Sequence, residues 1–256
     1  MTTSRKNPLA LITGGSRGLG RSMALHLAER GADIIFTYRA AAAEANDLVG
    51  RVHARGRKAA ALQLDVADSA SFDAFVGAVA AELERSFGRK NFDYLVNNAG
   101  TSLHASIAET TAAQLDEIYS VHFKAPFLLT QRLLPLIADG GRIVNISSGL
   151  ARMTLPGSSA YGAMKAAVET LTRYMAKELG ERRITANVIA PGAIETDFSG
   201  GMVRDNPEVN QRIASMTALG RVGLPDDVGG AVAMLLSPES GWINAQRIEV
   251  SGGMGL

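Results

Sequence analysis

The sequence predicts an α/β fold, a doubly wound parallel sheet of seven strands with helices on both faces. Two observations predict it. Short β-branched or apolar runs alternate along the chain with longer segments of helical period, the pattern of buried parallel strands joined by crossover helices. At 256 residues and 46% hydrophobic, the chain can bury a full-sized core and fits one domain over 1–256. The strands are expected at Leu9 to Thr13, Asp33 to Tyr38, Ala59 to Leu64, Tyr94 to Asn97, Arg142 to Ser147, Thr185 to Ile189 and Arg247 to Val250. Helices are expected near Gly18 to Arg30, Ala41 to Arg55, Ser69 to Phe87, Thr111 to Ile137, Ser159 to Gly180 and Pro225 to Leu236. The alternation breaks at Gly192 to Gly223, where Gly200-Gly201, Pro207 and a weak helix from Glu208 to Met216 suggest a lid or binding loop. Right-handed crossovers would bring the C-terminal ends of all strands to one edge, where ligands bind in such sheets.

Composition narrows the function. With 26 basic and 25 acidic side chains the net charge is +1, so no broad field would draw the chain to nucleic acid or a membrane. The absence of cysteine excludes disulfides, thiolate metal sites and cysteine nucleophiles, and suits a reducing compartment. Met1 to Pro8 lacks the apolar core of a secretion signal, and no run approaches the ~18 apolar residues of a membrane span. The expectation is a cytoplasmic protein with no membrane partner and no metal.

The first expected strand runs into Thr13-Gly14-Gly15-Ser16-Arg17-Gly18-Leu19-Gly20 and then a helix. Free N–H groups and the positive dipole end of such a helix suit a pyrophosphate, and glycines 14, 18 and 20 allow the turn and the close approach of backbone to ligand. The spacing is G-x-x-x-G-x-G and the turn lacks a P-loop lysine, which disfavours ATP. After the second strand, where an acid would bind the ribose hydroxyls of NAD, stand Tyr38 and Arg39. Arginine grips a 2′-phosphate that a carboxylate would repel, and Arg17 points to the same region, so the expected cofactor is NADP(H). Solvated surface arginines are the bland alternative.

Ser148 and Tyr161 are thirteen positions apart, and Lys165 follows one helical turn beyond the tyrosine. A phenol of pKa about 10 is a poor acid-base group at neutral pH, and an ammonium on the same helix face would lower it. In the reduction direction Tyr161 would donate the proton and Ser148 would polarise the carbonyl, with Lys165 lowering the phenol and clamping the nicotinamide ribose. The pattern Y-x-x-x-K alone is better read as a surface helix pair; the serine at fixed distance turns it toward hydride transfer between a nicotinamide and a carbonyl or alcohol.

With these motifs in order, the chain resembles the short-chain dehydrogenase/reductase family, in its compact branch of about 250 residues, and the resemblance runs end to end. It implies a single-domain Rossmann fold. Besides the glycine turn, with Gly14, Ser16, Arg17, Gly18, Leu19 and Gly20 at the cofactor, it rests on Asp65-Val66, Asn97-Asn98-Ala99-Gly100, Ser148, Tyr161, Lys165, and Pro191-Gly192 with Ile194 and Thr196. The resemblance implies that Asp65 and Val66 hold the adenine and that the Asn98-Ala99-Gly100 turn shapes the cofactor site. It also implies that Pro191, Gly192, Ile194 and Thr196 hold the carboxamide. Such proteins are commonly homotetramers, or homodimers, paired through the helices matching Thr111 to Ile137 and Ser159 to Gly180.

Three departures stand out. His122 fills the position of an asparagine that in the family holds a water beside the lysine; it is expected to replace that asparagine in a proton relay, the alternative being a structural substitution that leaves the relay to water. Asn244-Ala245-Gln246 and Ser251-Gly252-Gly253 replace a Thr-Gly-Gln and an Asp-Gly-Gly. Asp139 stands where reductases of acyl-carrier substrates tend to be basic, which disfavours an acidic carrier partner. Leu103, His104, Leu150, Met153, Leu155, Ile194, Phe198 and Met202 are candidate walls for a modestly hydrophobic ketone or secondary alcohol. The rivals are a 3-oxoacyl thioester reductase and a non-catalytic NADP-binding regulator.

Overall fold

A computed structural model describes residues 7–256; Met1 to Lys6, most of the segment read above for a secretion signal, lie outside the described residues. Seven strands form one sheet: β1 Leu9–Ile12, β2 Asp33–Tyr38, β3 Ala59–Gln63, β4 Phe92–Asn97, β5 Ile137–Ile146, β6 Thr185–Pro191 and β7 Arg247–Val250. The order is β3-β2-β1-β4-β5-β6-β7, and every pairing is parallel. From β1 the chain winds outward through β2 and β3 and then crosses to β4 on the other side of β1, so the topological switch lies between β1 and β4, where a doubly wound sheet opens its ligand crevice.

Two apolar layers flank the sheet because its strands are buried on both faces. One contains Ile12, Phe36, Val96 and Ile189 with α1 (Gly18–Glu29), α2 (Ala42–His53) and α9 (Pro225–Leu235). The other contains Leu11, Leu95, Ile143 and Ala186 with α3 (Phe72–Phe87), α5 (Ala125–Leu133) and α6 (Ser159–Glu178). Among the described residues no helix is long and apolar enough to cross a membrane.

The expected helix Thr111 to Ile137 is divided. Thr111 caps α4 (Ala112–Tyr119) in a reciprocal capping box with Gln114. A π-helical turn follows at Ser120–Lys124, then α5, a 3-10 turn at Leu134–Leu136, and Ile137 already belongs to β5. Two prolines give the physical reason. Pro126 offers no N–H to the carbonyl of His122 four residues back, and Pro135 stops the last turn in the same way. The strand after it is longer than expected: Phe92 faces Ile137 and Tyr94 faces Arg142, so the stretch through Gly140, at φ +77°, bulges from the ladder.

The segment Gly192 to Gly223 crosses the catalytic edge as α7 (Met202–Asp205) and α8 (Pro207–Ser215) behind a tight turn in which Ser199, Gly200 and Gly201 all have positive φ. An Ile194–Gly223 bridge ties its ends together. Ala245, where the resemblance would place glycine, sits at φ +60°, held by Asn244 and Ala186. The left-handed region costs a non-glycine residue about 1 kcal/mol.

Candidate active site

The glycine turn is built of main chain. Thr13 Oγ1 accepts the N–H groups of Asn98 and Ala99 at 2.9 and 3.0 Å, and Asn98 Nδ2 donates to the carbonyls of Thr13 and Gly14 at 2.9 and 3.0 Å. These bonds stitch the end of β1 to the end of β4 across the switch point. Asn98 thereby acts on the turn, and Gly14 must lie flat: a Cβ there would come within 2.9 Å of Ala99 Cα, and one on Gly20 within 2.2 Å of the Gly14 carbonyl. α1 starts at Gly18 with neither a capping side chain nor an acidic group in its first turn, which leaves its leading N–H groups facing the turn. A cradle of free N–H groups without a carboxylate fits a pyrophosphate. Thr196 arrives from the segment after β6 and lies over Gly18, 3.6 Å from where a Cβ would be, while Gly192 packs on Ser251. Ser16 and Leu19 complete this wall, Ser16 buried and Leu19 half-buried.

Beyond β2 and β3, Arg39 and Asp65 line a surface cleft of about 580 Å³ with Gln63, Leu64 and Phe75; its lining does not include Tyr161. Gln63 Nε2 donates to the Arg39 carbonyl at 2.9 Å, and Asp65 Oδ1 accepts the N–H of Ala67 at 2.9 Å, with half-buried Val66 between. Tyr38 is half-buried against the first core. Arg17 is exposed and reaches Asp197 at 4.0 Å.

The reacting groups expected from the sequence converge at the C-terminal edge of β5. Ser148 follows the strand, and Tyr161 and Lys165 share a face of α6, with the Ser148 hydroxyl near enough to the phenol to favour its ionised form. Lys165 Nζ lies 5.5 Å from the Tyr161 ring centroid and donates to the Ile146 carbonyl at 2.7 Å. Burial pushes the phenol up to about 12, against the pull of Ser148, and brings the Lys165 ammonium down to about 7. The expected lowering of the phenol does not occur in the protein alone. Both groups are cut off from water, and the desolvation that raises the phenol also weakens the cation meant to lower it.

His122 is carried inward by the π-helical turn and is 1% exposed, edge-on to Tyr161 with ring centroids 5.0 Å apart. Its Nε2 lies 2.7 Å from the Thr101 carbonyl and 3.3 Å from the Thr101 N–H, and the shorter contact places the ring hydrogen on Nε2. Nδ1 is buried and without a partner among the described residues. Burial, with the nearby Lys165 charge, lowers its pKa to about 3, so the ring is neutral at ordinary pH. Gly100 leaves it room: a Cβ there would come within 2.9 Å of the imidazole.

Of the candidate walls, Phe198 lies beside Tyr161 at 6.0 Å between centroids, and Leu155 and Met202 are exposed. His104 lies over Gly157, so close that a Cβ there would meet the ring at 2.4 Å. Leu103 and Leu150 are half-buried; Met153 packs instead on Gly149 and Gly255, and Ile194 on Gly223. Asp139 is ion-paired with Arg182 at 2.8 Å, at the opposite end of β5 from Ser148. The sequence reading missed a buried polar chain behind the site, in which Asn97 Nδ2 donates to Thr130 and Asn145, and Asn145 Nδ2 to Thr172. The only sign of it was an asparagine inside each of two apolar strands. Among the described residues no group of His, Asp or Glu could hold a metal.

This site has known counterparts. A family model described as Enoyl-(Acyl carrier protein) reductase matches residues 14–255. The chain is 36% identical to tetrahydroxynaphthalene reductase PfmaG of Pestalotiopsis fici over 256 residues, 96% of this chain and 90% of that one. It is similar in structure to LugOII, described as a promiscuous reductase catalysing keto-reduction at C1 in lugdunomycin biosynthesis, at TM-score 0.93 and 38% identity over 99% and 100% of the two chains. The angucycline C-6 ketoreductase LanV, solved with bound NADP, superposes at TM-score 0.91 and 33% identity over 97% and 95%. The chain belongs to the short-chain dehydrogenase/reductase family, and its seven-stranded Rossmann fold is that of an oxidoreductase acting on carbonyl and alcohol groups.

Proposed function

We propose that the protein is an NADP(H)-dependent reductase of ketones carried on aromatic, largely apolar molecules, working reversibly on the corresponding secondary alcohols. The observation that carries this reading is the meeting of Ser148, Tyr161 and Lys165 at the edge that also bears the glycine turn. NADPH, when bound, supplies the hydride. The chain does the rest. Gly14, Gly18 and Gly20 take the pyrophosphate, Arg17 and Arg39 the 2′-phosphate, and Asp65 and Val66 flank the adenine. Asn98, Ala99 and Gly100 keep the crevice open, while Pro191, Gly192, Ile194 and Thr196 hold the nicotinamide end. Ser148 Oγ hydrogen-bonds the ketone oxygen. Tyr161, protonated up to about pH 12, gives its proton to that oxygen as negative charge develops there. Lys165 clamps the ribose, and His122 joins the relay as a neutral ring whose Nδ1, without a partner among the described residues, is free to accept a hydrogen bond from a water.

The aromatic preference is supported by the activities that name PfmaG and LanV, by Phe198 beside Tyr161, and by the exposed apolar side chains of Leu155 and Met202. The segment 192–223 acts as the lid of a single-domain chain. Leu115, Tyr119, Phe123 and Phe127 repeat every four residues; Tyr119, Phe123 and Phe127 form a chain of ring contacts, and Leu115, Tyr119 and Phe127 are exposed. That unpartnered stripe on α4 and α5 suits pairing of like subunits into a homotetramer. The lack of cysteine suits a cytoplasmic setting.

The test follows NADPH absorbance with bicyclic aromatic ketones, aliphatic ketones, a 3-oxoacyl thioester and an enoyl thioester. Fastest turnover of an aromatic ketone is expected. A preference for either thioester would favour an acyl-carrier role, and NADPH binding without turnover on any substrate would favour a cofactor-binding regulator.

A further inference from the structure

Arg247 and Glu249 lie on β7, at one edge of the sheet. Charges on an edge strand ordinarily face water and discourage strand pairing. Here Ile248 and Val250 pack on the first core, and the two charged residues point to the opposite face, toward α6. The side chains of Arg247 and its partner Glu169 are only 18% and 13% exposed. Arg247 Nε donates to Glu169 Oε1 at 2.7 Å, Nη1 to Glu249 Oε2 at 2.8 Å, and Nη2 to the carbonyl of Ser148 at 3.4 Å. Arg152 donates to the same Glu249 oxygen at 3.2 Å. Glu169 Oε1 also accepts the hydroxyl of Ser147 at 2.6 Å, and that hydroxyl lies 3.3 Å from the Lys165 carbonyl.

Three consecutive residues at the end of β5 are therefore tied to other elements: Ile146 to Lys165, Ser147 to Glu169, and Ser148 to Arg247. The covalent route from Ser148 to Tyr161 is a loop through Gly149 and Ser158, which does not by itself set their separation. Hydrogen-bonding groups in a reaction site must be held to about 0.5 Å, which requires a second layer of oriented contacts. A planar guanidinium with three directed bonds supplies such contacts where a flexible ammonium would not. We infer that Arg247 and Glu169 are positioning residues that hold Ser148 in bonding register with Tyr161. Neither touches the substrate. This inference rests on the ketone-reductase reading of the same site.

The test is a cycle of variants in the full-length enzyme, read by NADPH oxidation with an aromatic ketone and by fluorescence titration of NADPH. Arg247→Met keeps most of the stem and removes the fork. It is expected to lower kcat by about tenfold or more, as misplacement of a reacting group does, while Kd for NADPH stays within about twofold, and Arg247→Lys should recover part of the loss. In a Ser148→Ala background the same substitution should cost little further turnover, because the group it positions is gone. Glu169→Gln, which keeps an acceptor for Ser147 but loses the charge facing Arg247, repeats the cycle if Arg247→Met does not fold. Unchanged kcat, or an equal loss with and without Ser148, overturns the inference alone. A wild-type enzyme inert toward every ketone overturns the functional reading and the inference with it.

Discussion

The two sides of the switch point build their functional surfaces from different material. Around Gly14 to Gly20 the surface is backbone: carbonyls, N–H groups and the space that missing side chains leave, with exposed arginines at its rim. Around Tyr161 it is buried and half-buried side chains drawn from β5, α6, β7 and the π-helical turn, tied to one another and to main-chain carbonyls. The first side offers free N–H groups that suit a charged ligand and leaves its own ionisable groups in water. The second excludes water from ionisable groups, so its chemistry depends on how burial shifts their protons. Substitutions should therefore separate the two sides, one set altering turnover and the other altering choice of cofactor.

The largest separation is expected from Tyr161→Phe. Removing a general acid costs about 10² to 10⁴ in rate, and the ring contacts to His122 and Phe198 that keep the site packed survive in phenylalanine. Turnover should fall by about a thousandfold, with Kd for NADPH within about threefold of wild type by fluorescence titration. Full activity in this variant would remove Tyr161 as the donor, and an equal collapse of NADPH binding would mean that the two sides do not act separately.

A second outcome lies in the pH dependence of stability without cofactor. Lys165, near 10.4 in an unfolded chain, falls to about 7 when folded. Between these values the unfolded chain holds a proton that the folded chain has released, so raising the pH from about 7 to about 10 stabilises the fold. Tyr161 works in the opposite sense above pH 10: its folded value of about 12 keeps a proton that the unfolded chain has lost, and stability falls again. Thermal unfolding should show Tm rising by about 5 °C or more over the first window and turning down beyond it. Lys165→Met should flatten the rise. A rise that persists in that variant would assign it to another group.

The same contrast explains what was legible in the sequence. Backbone function leaves a local signature: the glycine turn, the Asn-Asn-Ala-Gly turn and the strand order could be read because each needs particular residues at adjacent positions. Ser148, Tyr161 and Lys165 were legible because their chemistry is unusual enough to give spacing a meaning. What held them was not legible. Glu169 and Arg247 are 78 positions apart, and nothing in the sequence marks them as partners. The helix from Thr111 looked continuous because its apolar period runs through Pro126, and the π-helical turn that carries His122 inward leaves no separate mark in that period. The rise of the Tyr161 phenol in the protein without cofactor was not legible for a related reason: charge can be counted in a sequence, whereas the depth at which it is buried cannot.

The smallest effect, and the one that sharpens the comparison from the other side, concerns Arg39. Its side chain makes no ion pair among the described residues and borders the cleft with Asp65, while Arg17 already reaches Asp197 in the segment after β6. A charge-assisted hydrogen bond contributes about 1.5–3 kcal/mol when sheltered, and exposure places this one at the low end. Arg39→Ala should lower kcat/KM with NADPH by about tenfold and leave NADH within twofold, since NADH has no 2′-phosphate to lose a partner. The NADPH penalty should shrink in molar salt, where the Debye length falls to about 3 Å. Arg17→Ala should cost less, because releasing Asp197 also removes a competitor for that charge. Equal losses with both cofactors would show that Arg39 supports the fold of the β2–α2 connection instead, and would leave the cofactor preference to contacts on the buried side.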